Sequence, residues 1–273
     1  MRSRFPVKVP ARFNLIEKMV CLSLVPKRYP VPGPTRSPDL GTLPFVAPKS
    51  TTRPLPGQHQ LSREFIAQHQ RARIVNALAL EVSEKGYRAV TVADIVKRAG
   101  IARNTFYENF GSKEECFLAA QQFAMSAALS RVVEAAGEID EWPLRVEAGL
   151  AAFLRYVAEE PALARTCMVD ALAAAPSSVR FYEESLQAFV SLFRLGRDVS
   201  PHGQELPETL EEALIGGVFW ILYQRLVAAE PRGIEELLPE LVEFALTPYL
   251  GAEAARAVAD EGGAASATAA SNE

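Results

Sequence analysis

The chain has 273 residues, 49% hydrophobic and 23% charged, a balance that fits a soluble globular protein with one or two sizeable cores. Its three cysteines, Cys21, Cys116 and Cys167, are odd in number, far apart and in no paired motif, so neither a disulfide framework nor a zinc site is suggested, and a reducing, cytoplasmic compartment fits. The net charge of −4 divides unevenly, with 10 basic and 2 acidic side chains in residues 1–58, 9 and 7 in residues 59–115, and 10 and 24 in residues 116–273, as suits a protein that offers one end to a polyanion.

Residues 1–58 hold 11 of the 19 prolines and no sustained helical or strand period. They read as a disordered arm, whose basic side chains either add phosphate contacts or belong to a plain solvated extension. The apolar run Met19–Val25 is too short to cross a bilayer and is followed by Pro26 rather than by a cleavage signature. Neither a signal peptide nor a membrane helix is read.

From Arg71 to Glu84, Ile74, Leu78 and Val82 recur four apart, which predicts a supporting helix closed by Lys85-Gly86. Thr91 with Asp94 is a capping pair, and Val92, Ile95, Val96 and Ala99 keep the spacing of one buried helical face. Gly100 supplies a tight turn, since glycine adopts left-handed backbone angles without steric cost. After it, Ile101, Phe106 and Phe110 form a second apolar face, while Arg103, Asn104, Thr105, Tyr107 and Asn109 fall on or beside the opposite side. Three helices around one small core, the last polar and basic, describe a DNA-reading helix-turn-helix whose outward side chains hydrogen-bond base edges or phosphates.

Ser112 with Glu115 opens a long helix in which Phe117, Leu118, Phe123, Ala127, Leu129 and Val133 carry the apolar spacing, ending at Gly137. Further helices are predicted over Pro143–Glu159, Pro161–Ala173, Pro176–Leu195, Pro207–Ala229 and Ile234–Leu250, with proline at or near their starts. Residues 252–273, rich in Ala, Gly and Ser, read as a disordered tail. The fold class is all-α: a helix-turn-helix domain over 59–115, then a larger helical domain over 116–251.

Glu84-Lys85-Gly86-Tyr87, Thr91-Val92-Ala93-Asp94-Ile95, Lys97-Arg98-Ala99-Gly100, Thr105-Phe106-Tyr107 and Phe110-Gly111-Ser112-Lys113-Glu114-Glu115 stand in the order and spacing of one known domain. Residues 74–115 resemble the N-terminal domain of the TetR family of transcriptional regulators. The resemblance implies a three-helix, homeodomain-like reading head on double-stranded DNA, with Thr91 and Lys113 on phosphates. It also implies Arg103, Asn104 and Thr105 on base edges, and Tyr107 and Asn109 on backbone or thymine methyl groups. Asn104, where small residues are frequent, Glu108, where an aromatic or histidine is usual, and Asn109 depart from the commoner pattern and bear on which operator is read.

In the larger domain Phe153, Tyr156, Cys167, Met168, Phe181, Phe189, Phe193, Phe219, Trp220 and Tyr223 fall at helical spacing. Resemblance to the family implies a pocket there for a small-molecule effector, largely apolar, and Phe153, Tyr156, Met168, Phe189, Phe193, Trp220 and Tyr223 are its candidate lining. It also implies a homodimer through the last two major helices, where Gly216 would permit close approach. The function that follows is ligand-controlled repression at a palindromic operator.

The alternative is a helical ligand-binding module or enzyme that has kept a vestigial head. None of His59, His69 and His202 has Glu three positions before it, no glycine-rich nucleotide loop follows a strand, and no nucleophile elbow is present. No catalytic residue, metal or cofactor is therefore read.

Overall fold

The computed structural model describes residues 63–137, 139–228 and 233–260. The basic arm and residues 261–273 lie outside the described residues. Helices α1 (Arg63–Lys85), α2 (Val92–Ala99) and α3 (Arg103–Asn109) form the head. The body follows with α4 (Lys113–Ala136), α5 (Trp142–Glu159), α6 (Pro161–Met168), α7 (Pro176–Arg194), the single turn α8 (Gly196–Val199), α9 (Leu210–Val227) and α10 (Leu238–Leu250). Three-residue 3₁₀ turns lie at Ala171–Ala173 and Glu235–Leu237, and the described residues contain no strand. The all-α class is borne out.

The head closes as its pattern demands. Ile74, Leu78 and Val82 of α1, Ile95 of α2 and Phe106 of α3 are all fully buried. Thr91 caps α2, its hydroxyl accepting from the Asp94 amide while the Asp94 carboxylate accepts from the Thr91 amide. At the other end Gly100 stands at φ 62°, a left-handed angle that a side chain would strain.

The long helix α4 differs from its expected face. Phe123 is 45% exposed, and the buried stripe runs through Phe117, Ala120, Ala124, Ala128 and Val132. The small residues decide this: they let α5 lie so close that a Cβ on Gly149 would stand 3.3 Å from Val132 Cγ1. Picking the larger side chains as the core face placed Phe123 on the wrong side. Of the described helices only α4 is long and apolar enough to cross a bilayer, and half of its apolar stretch is covered by the fold, as in a core helix.

Three other expectations shift. The run Pro161–Ala173 breaks after Met168, and α9 begins at Leu210 rather than at Pro207. More substantially, residues 252–260, assigned by composition to the tail, are helical (α11), with Ala255, Val258 and Ala259 buried against the body. Alanine is the best helix former, and two of these three buried side chains are alanines that need little room.

A buried ion pair fixes the far end of the body. Glu211 on α9 is fully buried and accepts from Arg197 on α8 at 2.7 and 3.0 Å, and from the Tyr249 hydroxyl at 3.0 Å. The same guanidinium donates to the carbonyl of Leu206 at 3.0 Å, drawing in the segment between α8 and α9. Burial alone would raise the Glu211 carboxyl, but the hydrogen bonds from Arg197 and Tyr249 hold it below its usual range. Gly196 is required beside this clamp, because a Cβ there would stand 2.4 Å from the Trp142 ring.

Candidate nucleic-acid interface and apolar cavity

The recognition helix α3 has seven residues and no side-chain cap at Ala102, so it is too short to hold itself. Tertiary anchors hold it instead. Phe106 and Phe110 are buried with ring centroids 5.9 Å apart. Arg71 of α1 donates to the Asn109 carbonyl at 2.7 Å and stacks over the Phe110 ring, 4.1 Å from its centroid. Arg73 donates to the Ala99 carbonyl at 2.6 Å, so two arginines of α1 cap the C-terminal ends of α3 and α2. Sequence reasoning missed this pair; its only signal was two bases just before the apolar stripe of α1.

A second polar cluster locks α2 to α1. Lys85 reaches Glu81 at 2.6 Å and Asp94 at 2.9 Å, and Arg98 reaches Glu81 at 2.5 Å and Glu84 at 2.6 Å. Hydrogen bonds from Thr91 and then Lys85 hold the Asp94 carboxyl far below its usual range, and those from Lys85 and Arg98 lower Glu81. These charges brace the head from behind.

What remains outward is Arg103, Asn104, Tyr107 and Glu108, all exposed, with Thr105 half-buried. Tyr107 is 46% exposed, its hydroxyl accepting from Arg103 at 3.4 Å beneath the guanidinium. Such an i, i+4 pair presents a planar donor set with an aromatic face beside it, matched to a guanine edge or a phosphate.

Three predicted contacts are more committed than the sequence suggested. Asn109 is drawn inward: its amide donates to the Thr105 carbonyl at 2.8 Å, closing the end of α3. Lys113 directs two of its three N–H donors to the carbonyls of Tyr87 and Val90 at 2.9 and 2.8 Å and sits 4.3 Å from the Tyr87 ring centroid. Partial burial lowers its pKa, and one N–H is left for a phosphate. The Thr91 hydroxyl donates to Asp94 at 2.5 Å, so a phosphate at this helix start would meet backbone amides rather than that hydrogen.

In the body an apolar cavity of about 70 Å³ is lined by Val132, Trp142, Arg145, Val146, Leu150, Phe153, Phe189, Leu192, Phe193 and Phe219, among others. A smaller one, about 20 Å³, lies behind Phe153 and Phe219 and is lined by Met125, Tyr156, Cys167 and Met168. Of the predicted lining, Phe153, Phe189 and Phe193 meet in the first, and Tyr156 and Met168 in the second. Trp220 and Tyr223 do not join them. Trp220 is 59% exposed and stacks on Tyr223 at 5.4 Å on the outer face of α9, because each stands one residue, about 100° around the helix, beyond the buried Phe219 and Leu222. Trp142 and Phe219 take their places. Burial raises the Cys116 and Cys167 thiols to about 12, so both stay protonated and inert.

One polar path joins body and head. Arg165 of α6 donates to the Leu226 carbonyl near the end of α9 at 2.9 Å and faces Asp170 at 3.6 Å. Asp170 in turn accepts from the Tyr87 amide at 3.3 Å, in the loop that Lys113 also grips.

Residues 74–120 match the family model described as bacterial regulatory proteins, tetR family. Over those residues the chain is similar to the tetR family. The matched residues run from the middle of α1 through α2 and α3 into α4. No curated protein matches the chain. Among solved structures, the fatty acid degradation regulator FadR from Bacillus halodurans aligns with a TM-score of 0.58 at 18% identity, over 65% of this chain and 93% of its own. A regulator from Bordetella parapertussis gives 0.55 at 16%, over 64% and 93%. FadR from Bacillus subtilis, solved with stearoyl-CoA, gives 0.53 at 17%, over 66% and 98%. At such identities the likeness extends the tetR-type fold through the body.

Proposed function

We propose that the chain is a ligand-controlled repressor: a homodimer binds a palindromic operator through two copies of α3, and an effector in the body releases it. The observation that carries this reading is the recognition helix, held by buried Phe106 and Phe110 with Arg103, Asn104 and Tyr107 turned outward. Arg103 and Asn104 meet base edges, as does Thr105 at the margin, while Thr91, Lys113 and Tyr107 set the register on the backbone. One helix of seven residues spans too few base pairs for useful specificity, so two-fold symmetry is needed, with half-sites roughly 35 Å apart.

The second copy docks on α9 and α10. Their shared outer face carries Gly216, Trp220, Tyr223 and Val227 from one helix and Phe244 from the other. Trp220, Val227 and Phe244 are 59, 46 and 43% exposed, a run of large apolar side chains that a lone subunit would leave in water. Gly217 is used within the chain, since its Cβ would stand 3.0 Å from Phe244; Gly216 has nothing within 4 Å and leaves room for a partner helix.

The effector enters the cavity behind Phe153. At about 70 Å³ the space is under half of the roughly 150 Å³ that accepts benzene in an engineered cavity, so a larger molecule must part its walls. That is how an apolar ligand acquires different affinities for two body shapes, worth about 1–3 kcal/mol of coupling, with the Arg165–Asp170–Tyr87 path carrying the change to the head. The stearoyl-CoA held by the Bacillus subtilis FadR, which shares the fold, favours an effector with a long apolar part.

The test is retention of duplex DNA fragments, selected from a random pool by the purified chain, across a salt series. A steep negative log-log slope with an inverted repeat in the selected sequences is expected; indifference to every duplex at low salt would leave only the vestigial-head alternative. Replacing Trp220 by Glu should convert the sedimenting dimer to monomer and remove the inverted-repeat preference.

A further inference from the structure

Glu108 is an outward side chain of α3 that takes no part in the operator contacts above. It is exposed on a helix proposed to face a polyanion, and its charge is the wrong one for a phosphate. The other acids of residues 69–115 are all engaged within the chain. Glu81, Glu84 and Asp94 are paired with Lys85 and Arg98. Glu115 accepts from the Gly111 amide at 2.8 Å, and Glu114 from the Ser177 hydroxyl at 2.8 Å. Glu108 has no hydrogen bond or ion pair among the described residues.

Its place on the helix decides what the carboxylate meets. Phe106 is fully buried in the core of the head and marks the inward direction. At about 100° per residue, Asn104 and Glu108 each stand about 160° round from Phe106, whereas Arg103 stands about 60° from it, and Thr105 and Tyr107 about 100°. Asn104 and Glu108, one turn apart and both exposed, therefore form the ridge that faces most directly away from the head. Arg103 and Tyr107 lie along one flank and the half-buried Thr105 along the other. A helix laid in a major groove, with its core side held on its own subunit, turns that ridge to the base edges, and the long Arg103 reaches in from the side.

A carboxylate only accepts hydrogen bonds, and few base edges can satisfy it. Guanine shows two acceptors in the major groove, thymine an acceptor and a methyl group, and adenine an amino group beside its acceptor N7; cytosine shows its amino group alone. Resting on the DNA-binding reading above, we propose that Glu108 determines specificity by accepting from the N4 amino group of a cytosine in each half-site. Asn104 and Glu108 are separated by about 6 Å along the helix axis, under two base-pair steps of about 3.4 Å, so the cytosine falls within two base pairs of the pair that Asn104 reads. The same carboxylate excludes the other three bases by repulsion from their acceptors or by leaving its own charge unpaired.

The experiment selects duplexes from a random pool with the full chain as wild type, Glu108→Gln, Glu108→Ala and Arg103→Ala. Each protein is then titrated with the wild-type site carrying every base in turn at the cytosine position. Both Glu108 variants should keep the wild-type Tm, since the side chain is exposed and unbonded in the fold. The wild type should favour cytosine there by at least about fivefold over each other base, the low end for a good base contact. Glu108→Ala should erase that preference and bind the sites with other bases more tightly than the wild type does, because the repulsion is gone. Glu108→Gln should move the preference to adenine, whose N6 and N7 suit an amide. A uniform rise in affinity for Glu108→Ala with the base profile intact, or a wild-type preference there for any base but cytosine, would overturn the assignment. If Arg103→Ala still altered a different position, the DNA-binding reading would stand without it. Selection of no duplex by the wild type would overturn that reading, and this proposal with it.

Discussion

The head and the body are both helical and both buried around phenylalanines, but they are held by different forces. In the head, short polar links fix nearly every turn: Arg71 and Arg73 on helix ends, Lys85 and Arg98 on Glu81, Asp94 on Thr91. In the body, α4 to α7 and α9 meet mainly through apolar and aromatic faces, and the largest polar cluster, Arg197–Glu211–Tyr249, sits at one end. The difference suits the work proposed for each. A reading helix of seven residues must hold its outward side chains to a fraction of an ångström, which directional bonds achieve; a cavity that parts to admit a ligand is served by non-directional contacts that re-form at small cost.

The sharpest way to break the comparison is to truncate one phenylalanine on each side. Phe106→Ala removes a fully buried ring from the smaller core and should cost about 3–5 kcal/mol in denaturant unfolding, with DNA retention abolished. Phe153→Ala, at a wall already open on two sides, should cost near the lower end of that range and leave retention intact. Equal loss of DNA binding in both would mean that the body, not the local anchors, sets the geometry of α3.

The same contrast explains what was legible in the sequence. The head was readable because its devices are local: Thr91 and Asp94 are three apart, Gly100 marks the turn, and Phe106 and Phe110 are one turn apart. What escaped were the links that close across the fold, such as Arg71 to Asn109 and Lys113 to Tyr87, which no spacing announces. In the body, helix positions followed from prolines and apolar period, but which aromatics face the cavity did not. Trp220 and Phe219 are neighbours in a helix that is apolar nearly all round, and only packing turns one out and the other in. Residues 252–260 illustrate the reverse error, since a composition suited to a loose tail also suits a helix with a surface to lie on.

A smaller effect tests the outward face itself. Arg103→Ala should cost about 1–3 kcal/mol of affinity for the selected DNA and relax the preference at one base position in each half-site, with Tm unchanged because the guanidinium is exposed. Uniform weakening across all positions would move Arg103 from base reading to phosphate contact.

Acid should separate the regions next. Asp94 and Glu81 have folded-state pKa values below their unfolded ones, so their contribution is fully present above the unfolded values near 4 and is lost as pH falls through the folded ones. Asp170, raised by burial, works with the opposite sign and gains as it protonates. Amide protection over Val92–Ala99, relative to the unfolded chain at the same pH, should therefore fall as pH drops below about 4, and Asp94→Asn should flatten that dependence while weakening the cap at neutral pH.

Lys113 gives the finest distinction, because it belongs to both regions: it opens α4 and grips the loop before α2 through Tyr87 and Val90. If its third N–H meets a phosphate, Lys113→Gln should reduce the slope of log affinity against log salt by about 0.9, the share of one neutralised phosphate. The lost carbonyl bonds should lower Tm as well. A fall in Tm with an unchanged salt slope would make Lys113 a clamp alone, and the phosphate register would then rest on the backbone amides at the start of α2 and on Tyr107. Measuring both quantities on one variant thus tells whether the joint between head and body also touches DNA, or only holds the head at the angle proposed for Arg103 to read it.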